Sequence, residues 1–139
     1  MRTAVFSLLL LLNFSVFAQE DCLLGVGGKD DEVITEVFQL NEEQQEQLRN
    51  WSAELKIRNG LLKEKAEYLL KKHEESSVDE LLKVSEEYQN ILDSMKQNVR
   101  MMDKRLLTIL NPKQYEFYTE LCTKLSLRPI YINRSVDEK

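Results

Sequence analysis

The stretch that decides the fold is VDELLKVSEEYQNILDSMKQNVRMMDKRLLTI, residues 78–109. Ten positions in it recur at alternating intervals of three and four residues, and only one of the ten is polar. Such a stripe, sustained over more than four heptads, is typical of a long helix that packs along a partner helix. At 1.5 Å per residue the helix is a rod of roughly 48 Å. The stripe consists of Val78, Leu81, Ser85, Tyr88, Leu92, Met95, Val99, Met102, Leu106 and Ile109.

The preceding run, residues 42–74, predicts a second helix of nearly the same length. Arg58 lies in a gap of seven residues in its apolar stripe, and Gly60 costs about 1 kcal/mol relative to alanine in a helix. Ser77 and Glu80 have the form of a capping box at the turn between the two helices. Two rods of equal length joined by a short turn form an antiparallel helical hairpin. The stripe of the first rod is Leu48, Trp51, Leu55, Leu62, Ala66 and Leu69.

Shorter helices are predicted on both sides of the hairpin. Residues 30–39 carry apolar side chains at a spacing typical of a short amphipathic helix. A last helix begins at Pro112, where the missing N–H does no harm, and ends near Ser126. We therefore expect an all-α fold of about four helices. Its hairpin leaves outer apolar positions that something further must cover, and these include Leu61, Leu82, Ile91 and Leu107.

Beyond this helical domain, residues 30–127, the chain has two irregular ends. The glycines of residues 19–29 predict a flexible strap before the first helix. Residues 128–139 show no clear period, and we expect a loose tail.

One five-residue phrase occurs twice, as LNEEQ at residues 40–44 and as LNPKQ at residues 110–114. In both copies asparagine is a good N-cap, and the glutamine three residues later can reach back to the N–H of the cap. Each phrase therefore predicts the start of a helix. The residues of this motif are Leu40, Asn41 and Gln44 in the first copy and Leu110, Asn111 and Gln114 in the second.

The first 18 residues, MRTAVFSLLLLLNFSVFA, predict a secretory signal peptide, with basic Arg2 followed by an apolar run. The run is too short for a membrane-spanning helix, which needs about 20 apolar residues, and we expect no membrane insertion once the signal is removed. Removing Arg2 changes the formal net charge from −5 to −6. Because both signs are mixed along the chain, the pattern argues against nucleic-acid binding.

Cys22 and Cys122 are the two cysteines of the chain. In an exported protein an even count favours one disulfide, here closing a loop of about 100 residues, for which chain entropy gives on the order of 4.7 kcal/mol. Two separate thiols, or a bridge to a second chain, are the alternatives.

The sequence predicts no catalytic, metal or cofactor site. Nucleophilic catalysis needs a base beside the nucleophile, and His73 is the one histidine of the chain. It has no second histidine with which to share a metal ion, and the cysteines do not form a CxxC pair. The glycines of the strap lack the spacing of a phosphate-binding loop. We therefore expect that the protein is not an enzyme.

An exported, all-helical chain with two Leu-Asn-x-x-Gln phrases, one before each of two helices, resembles the Spy/CpxP family of periplasmic proteins. The family motif is written LTxxQ, and both copies here have asparagine in place of threonine, which also caps helices. The resemblance covers roughly residues 30–125. It implies a cradle-shaped homodimer in the periplasm, active in envelope stress. The family's cradle is basic, whereas this chain is net acidic.

The resemblance implies an ATP-independent chaperone that holds unfolded or misfolded envelope proteins. Apolar burial at about 25 cal/mol per Å² can supply such affinity without nucleotide or metal. We expect clients to contact side chains of the long helices that leave the seam, such as Leu61, Leu82, Ile91 and Met101. Two alternatives remain open. One is a regulatory module that binds the periplasmic domain of a sensor kinase, and the other is a purely structural hairpin.

Overall fold

The computed structural model describes residues 19–133. The predicted signal peptide, residues 1–18, and residues 134–139 of the predicted tail lie outside this range. Within it the chain is all-α, as predicted, and has four helices and no strand. No helix of this part of the chain is long and apolar enough to cross a membrane. The helices are α1 (Asp31–Val37), α2 (Glu42–Lys72), α3 (Val78–Ile109) and α4 (Pro112–Lys124).

Helices α2 and α3 form the predicted antiparallel hairpin. They contain 31 and 32 residues and are joined by residues 73–77. The Ser77 hydroxyl accepts a hydrogen bond from the N–H of Glu80, and the Glu80 carboxylate accepts one from the N–H of Ser77, so this predicted capping box is confirmed. Three contacts across the hairpin define its register: Glu54 to Arg105 at 2.6 Å, Asn59 to Asn98 at 2.9 Å and Lys65 to Glu87 at 3.5 Å.

The inward face of α2 follows a stricter repeat than the apolar residues alone predict. Buried Ser52 and half-buried Asn59 complete it, so that the inward positions 48, 52, 55, 59, 62, 66 and 69 alternate by four and three. Trp51, predicted in this stripe, is half-buried beside it. The Asn59 side-chain oxygen accepts a hydrogen bond from Asn98, and its amide nitrogen lies 3.4 Å from the carbonyl oxygen of Met95. A polar pair in a helical seam favours one register over others.

Helix α3 packs as predicted over most of its length, but its first turns do not. From Tyr88 to Ile109 the predicted residues are buried or half-buried, whereas Val78 and Leu81 are exposed. A straight α-helix drifts about 20° per heptad relative to a repeat of 3.5 residues. Over the three heptads toward the turn this rotates the predicted stripe away from α2 by about 60°. Val84 takes its place in the buried face.

The core is divided into two clusters along the hairpin. The larger cluster lies at the base, where the strap and residues of α1 and α4 pack on the hairpin. The smaller one lies nearer the turn and consists of Ala66, Leu69, Val84 and Ile91. No described residue outside the hairpin belongs to the smaller cluster. The hairpin between residues 57 and 97, called the tip below, is therefore two helices thick, whereas the base has additional layers.

Candidate functional site

The repeated phrase caps α2 and α4 in the same way. The Asn41 side chain accepts a hydrogen bond from the N–H of Gln44 at 2.9 Å, and the Gln44 side chain accepts one from the N–H of Asn41 at 3.0 Å. Asn111 and Gln114 repeat this exchange at 2.9 and 2.8 Å. Both predicted capping boxes are confirmed, and each satisfies backbone donors that the first turn of a helix leaves without partners.

The two glutamines of the motif also meet each other in the protein interior. Gln44 Nε2 donates to Gln114 Oε1 at 2.9 Å, and Gln114 Nε2 donates to Gln44 Oε1 at 3.2 Å. Each Nε2 donates as well to a backbone carbonyl, that of Ile109 from Gln44 and that of Phe38 from Gln114, both at 2.8 Å. Both side-chain amides are buried, and each uses two donors and two acceptor positions, the full capacity of an amide.

This glutamine pair ties the entrance of the hairpin to the start of the last helix. Leu40 and Leu110, which precede the two caps, are buried in the base cluster beside the pair. The spacing of the phrase predicts each cap separately, and it does not predict that the two caps touch. The likeness of the two phrases could have indicated the contact, because two glutamine side chains can each donate a hydrogen bond to the other and accept one from it.

Asp103 on α3 holds the strap, and this role was not predicted. Its buried carboxylate accepts hydrogen bonds from the backbone N–H groups of Leu24 at 2.6 Å, Gly25 at 3.1 Å and Val26 at 2.9 Å. Burial raises the pKa of Asp103 above its ordinary value of 3.8, while the three N–H donors act in the opposite direction. In the sequence Asp103 is one acid among many, and nothing marks it as buried.

The strap is also bonded covalently to α4. Cys22 and Cys122 form a disulfide, as predicted, and both are buried at the base. Gly27 has a φ of +84°, and a β-carbon there would lie 2.6 Å from the Leu55 side chain. Glycine at this position therefore lets the strap lie directly on α2. The prediction of a flexible strap did not anticipate these contacts.

Tyr118 joins the strap to the beginning of the tail. Its buried hydroxyl donates to the carbonyl of Cys22 at 2.8 Å and accepts from the N–H of Ile130 at 2.9 Å. Burial raises the pKa of Tyr118 above 10.0. Asp21 forms ion pairs with Arg100 and Arg128 beside this contact. Residues 128–130 are therefore held against the base, which the prediction of a loose tail did not anticipate.

The four residues predicted to contact clients fall into three environments. Leu61 on α2 and Leu82 on α3 are 64% and 63% exposed, as expected for side chains that leave the seam. Ile91 is only 3% exposed, so the expectation that it offers surface is wrong. Because the predicted stripe of α3 rotates away from α2 toward the turn, Ile91 lies in the buried face instead. Met101 is half-buried and packs against the base cluster, where it lines a surface groove of about 450 Å³ along α3.

Further large apolar side chains are exposed on the tip besides Leu61 and Leu82. Both long helices contribute to this set, and its members lie outside the buried face of the hairpin. They are Ile57, Tyr68, Leu70, Val78 and Leu81. Spacing could have indicated Ile57, Tyr68 and Leu70, which fall off the stripe of α2. It could not have indicated Val78 and Leu81, because both belong to the predicted stripe of α3.

Apart from the buried Asp103, the charged side chains of the hairpin are exposed or half-buried. Glu54 accepts hydrogen bonds from Arg105 at 2.6 Å and from Arg58 at 2.7 Å. These bonds hold the pKa of Glu54 below its ordinary value of 4.5. On the tip the nearest pairs, such as Lys65 with Glu87, are exposed, and pairs of this kind contribute little to stability.

No family model, curated protein or solved structure matches this chain. These comparisons do not identify the Spy/CpxP family, so the resemblance drawn from the two phrases stays an expectation from the sequence.

The molecule thus combines two unlike halves. The base is fastened by the glutamine pair, by the Asp103 hydrogen bonds and by the disulfide. The tip carries apolar side chains that the described part of the chain does not cover. Such an arrangement can bury apolar segments of another protein on the tip while the base keeps the hairpin in place.

Proposed function

We propose that this chain is an exported, non-catalytic binding protein that holds unfolded or misfolded segments of other envelope proteins, without ATP, on the tip of its hairpin. The observation that carries the proposal is the exposure of seven large apolar side chains within the two-helix tip. They are Ile57, Leu61, Tyr68, Leu70, Val78, Leu81 and Leu82.

The energy available from these side chains suits a holding function. Burying the exposed part of one such side chain contributes roughly 1 kcal/mol. Contact with several at once therefore gives weak, reversible binding that does not depend on the sequence of the client. The mixed charges of the tip, which include Lys65 and Glu87, keep this surface hydrated between binding events.

The proposal is tested by light scattering of a chemically unfolded client that aggregates on dilution. The mature chain, residues 19–139, is expected to suppress scattering at an equimolar ratio without nucleotide. The double variant Leu61→Ser/Leu82→Ser is expected to lose most of this suppression, because it removes apolar surface from both helices of the tip. Val33→Ser is the matched control, since Val33 is exposed on α1 at the base.

Circular dichroism would first establish that both variants keep the helix content of the parent chain. Two results contradict the proposal. The first is scattering unaffected by the parent chain at any ratio up to several-fold excess. The second is a double variant that suppresses aggregation as well as the parent does.

A further inference from the structure

The strap lies along one side of the hairpin, and a groove opens where it ends. The backbone N–H groups of residues 24–26 donate to Asp103 on α3. The chain then turns away toward α1 at residues 26–30. Next to this turn lies a groove of about 350 Å³, lined by glycines of the strap, by Asn59 on α2 and by Val99 on α3. The strap therefore covers this side of the hairpin at the base and leaves it open toward the tip.

Apolar side chains continue this side of the hairpin from the groove toward the turn. On α3, Leu92 and Leu81 precede Val99 by seven and eighteen residues, about two and five helical turns. On α2, Leu70 follows Asn59 by eleven residues, about three turns. Because these spacings are close to whole numbers of turns, the apolar residues lie on the side that the strap marks at the base. Val99, Leu92, Leu81 and Leu70 are called the strap-side row below.

The strap-side row offers apolar surface over its whole length. Its two residues nearest the groove are half-buried, and Leu70 and Leu81 are 51% and 43% exposed. Ser85, seven residues before Leu92, interrupts the row, and its hydroxyl donates to the carbonyl of Leu82 within its own helix. The row extends over eighteen residues of α3, about 27 Å.

Polar side chains border the row on α3. Lys96 and Gln89 precede Asp103 by seven and fourteen residues, about two and four turns, so they lie in line with the carboxylate that binds the strap. Both are exposed, and both contact Asp93 only at long distances, 3.9 and 3.3 Å. Asp103 accepts from backbone N–H groups, whereas Lys96 and Gln89 have side-chain donors for backbone carbonyls. This border therefore offers hydrogen bonds to a second stretch of backbone.

The border on α2 carries charges of both signs. Lys56 lines the groove, and Lys63 and Glu67 follow it by seven and eleven residues. Lys63 lies 3.8 Å from Glu67, and both are exposed. The border therefore does not demand an acidic or a basic occupant, and the apolar row decides what binds.

An extended segment suits this row better than a helix does. An extended chain presents backbone N–H and C=O groups that need partners, whereas a helix already bonds its own. It also places every second side chain on one face, and about eight residues span 27 Å. The strap shows that backbone approaches this side closely, because a β-carbon on Gly27 would lie 2.6 Å from the Leu55 side chain.

We propose that the strap-side row binds an extended segment of a client, about eight residues long with apolar side chains at alternate positions, in continuation of the strap. The inference rests on the proposed function and specifies it, since it names the conformation of the client segment and the side of the tip that anchors it. Leu61 lies nine residues before Leu70, about two and a half turns, and so faces the opposite side. Side chains such as Leu61 add contact area for clients larger than this segment.

The test uses two labelled nine-residue peptides with blocked ends and the same composition, four leucines and five serines. In one peptide the leucines alternate with serines. In the other they occupy positions 1, 4, 5 and 8, so that either face of the extended chain has only two. Binding to residues 19–139 is measured by fluorescence anisotropy. The alternating peptide is expected to bind roughly tenfold more tightly, because all four of its leucines can contact the row at once.

Variants and methyl NMR place the site. Leu70→Ser/Leu81→Ser is expected to weaken the alternating peptide about tenfold. Ile57→Ser/Leu61→Ser is the matched control, because it removes two exposed apolar side chains from the far side of the tip, and its effect is expected to stay within about twofold. All four positions are exposed, so circular dichroism is expected to show unchanged folding. In the parent chain the peptide is expected to shift the methyl signals of Leu92 and Val99.

The inference is overturned if the two peptides bind equally, or if the two double variants weaken binding to the same extent. Methyl shifts at Ile57 and Leu61 in place of Leu92 and Val99 also overturn it. So does a dimer in sedimentation that Leu70→Ser/Leu81→Ser dissociates, because a second copy would then cover the row.

Aggregation suppression measured on the same samples separates the two proposals. A parent chain that suppresses aggregation but does not distinguish the peptides keeps the proposed function and loses this inference. A parent chain that prefers the alternating peptide but leaves aggregation unchanged keeps the row as a peptide site and loses the proposed function.

Discussion

Replacing one glutamine of the buried pair tests how the base is held together. In Gln114→Ala the side chain that links α4 to the hairpin entrance is removed. Four hydrogen bonds of 3.2 Å or shorter are lost with it: those to the N–H of Asn111, to the carbonyl of Phe38 and the two exchanged with Gln44. A longer contact from Gln114 Nε2 to the carbonyl of Gln39, at 3.4 Å, is left out of the count. Gln44→Ala also removes four, those to Asn41, to Ile109 and the same two shared bonds.

The expected magnitude follows from this count. At about 1 kcal/mol net for each hydrogen bond, either single substitution lowers the free energy of unfolding by about 4 kcal/mol. The double variant loses six different bonds, hence about 6 kcal/mol, because two bonds belong to both residues. The sum of the singles exceeds the double by about 2 kcal/mol, which is the coupling energy expected for side chains in direct contact.

Equilibrium unfolding in urea, followed by circular dichroism, measures these quantities on the oxidised protein. Gln89→Ala is the control, because Gln89 is exposed on α3, and its effect is expected to stay within about 0.5 kcal/mol. Equal slopes of the unfolding transitions would establish that the variants unfold as the parent does. If the singles add to the double within about 0.5 kcal/mol, the reciprocal pair does not contribute to stability and the reasoning is wrong.

Three further predictions concern other parts of the chain. Cys22→Ser/Cys122→Ser is expected to lower the free energy of unfolding by up to about 4.7 kcal/mol, since it releases a 100-residue loop. Urea unfolding with and without reductant checks this, and an equal midpoint for parent and variant would contradict it. Because its folded-state pKa lies below 4.5, Glu54 stabilises the fold above that pH and stops doing so as the pH falls through the folded-state pKa. The difference in unfolding free energy between the parent and Glu54→Gln, measured from neutral pH downward, should therefore shrink only below pH 4.5. A difference that stays constant would refute the assignment. Gly60→Ala is expected to raise the thermal midpoint by the equivalent of about 1 kcal/mol, because the added methyl group meets no atom and glycine is a poor helix former; a lower midpoint would indicate a bend that α2 needs.

The helices could be predicted because their signals are local. Stripes of apolar residues, capping boxes and Pro112 each depend on a few neighbouring positions, and the helix bounds follow them closely. The disulfide could be proposed from the count of cysteines and the expectation of export. These features require no knowledge of which elements meet.

Contacts between distant segments could not be predicted in the same way. Asp103 becomes a buried acceptor only because three backbone N–H groups of the strap point at it. Asn59 belongs to the seam of α2 because Asn98 lies opposite it. A strict repeat of about 3.5 residues places Ile91 at the surface of α3. A straight helix drifts away from such a repeat over several heptads, and Ile91 is buried.

Hydrogen–deuterium exchange of residues 19–139, with and without a soluble, permanently unfolded client, tests most directly whether the tip binds clients while the base holds the fold together. Client binding should slow exchange in residues 57–82, where the exposed apolar side chains lie. Exchange of the amides at the base, including those that bond to Asp103, should be slow in both samples and unchanged. Protection gained at the base with none at the tip, or equal exchange everywhere in the presence of bound client, would contradict this prediction.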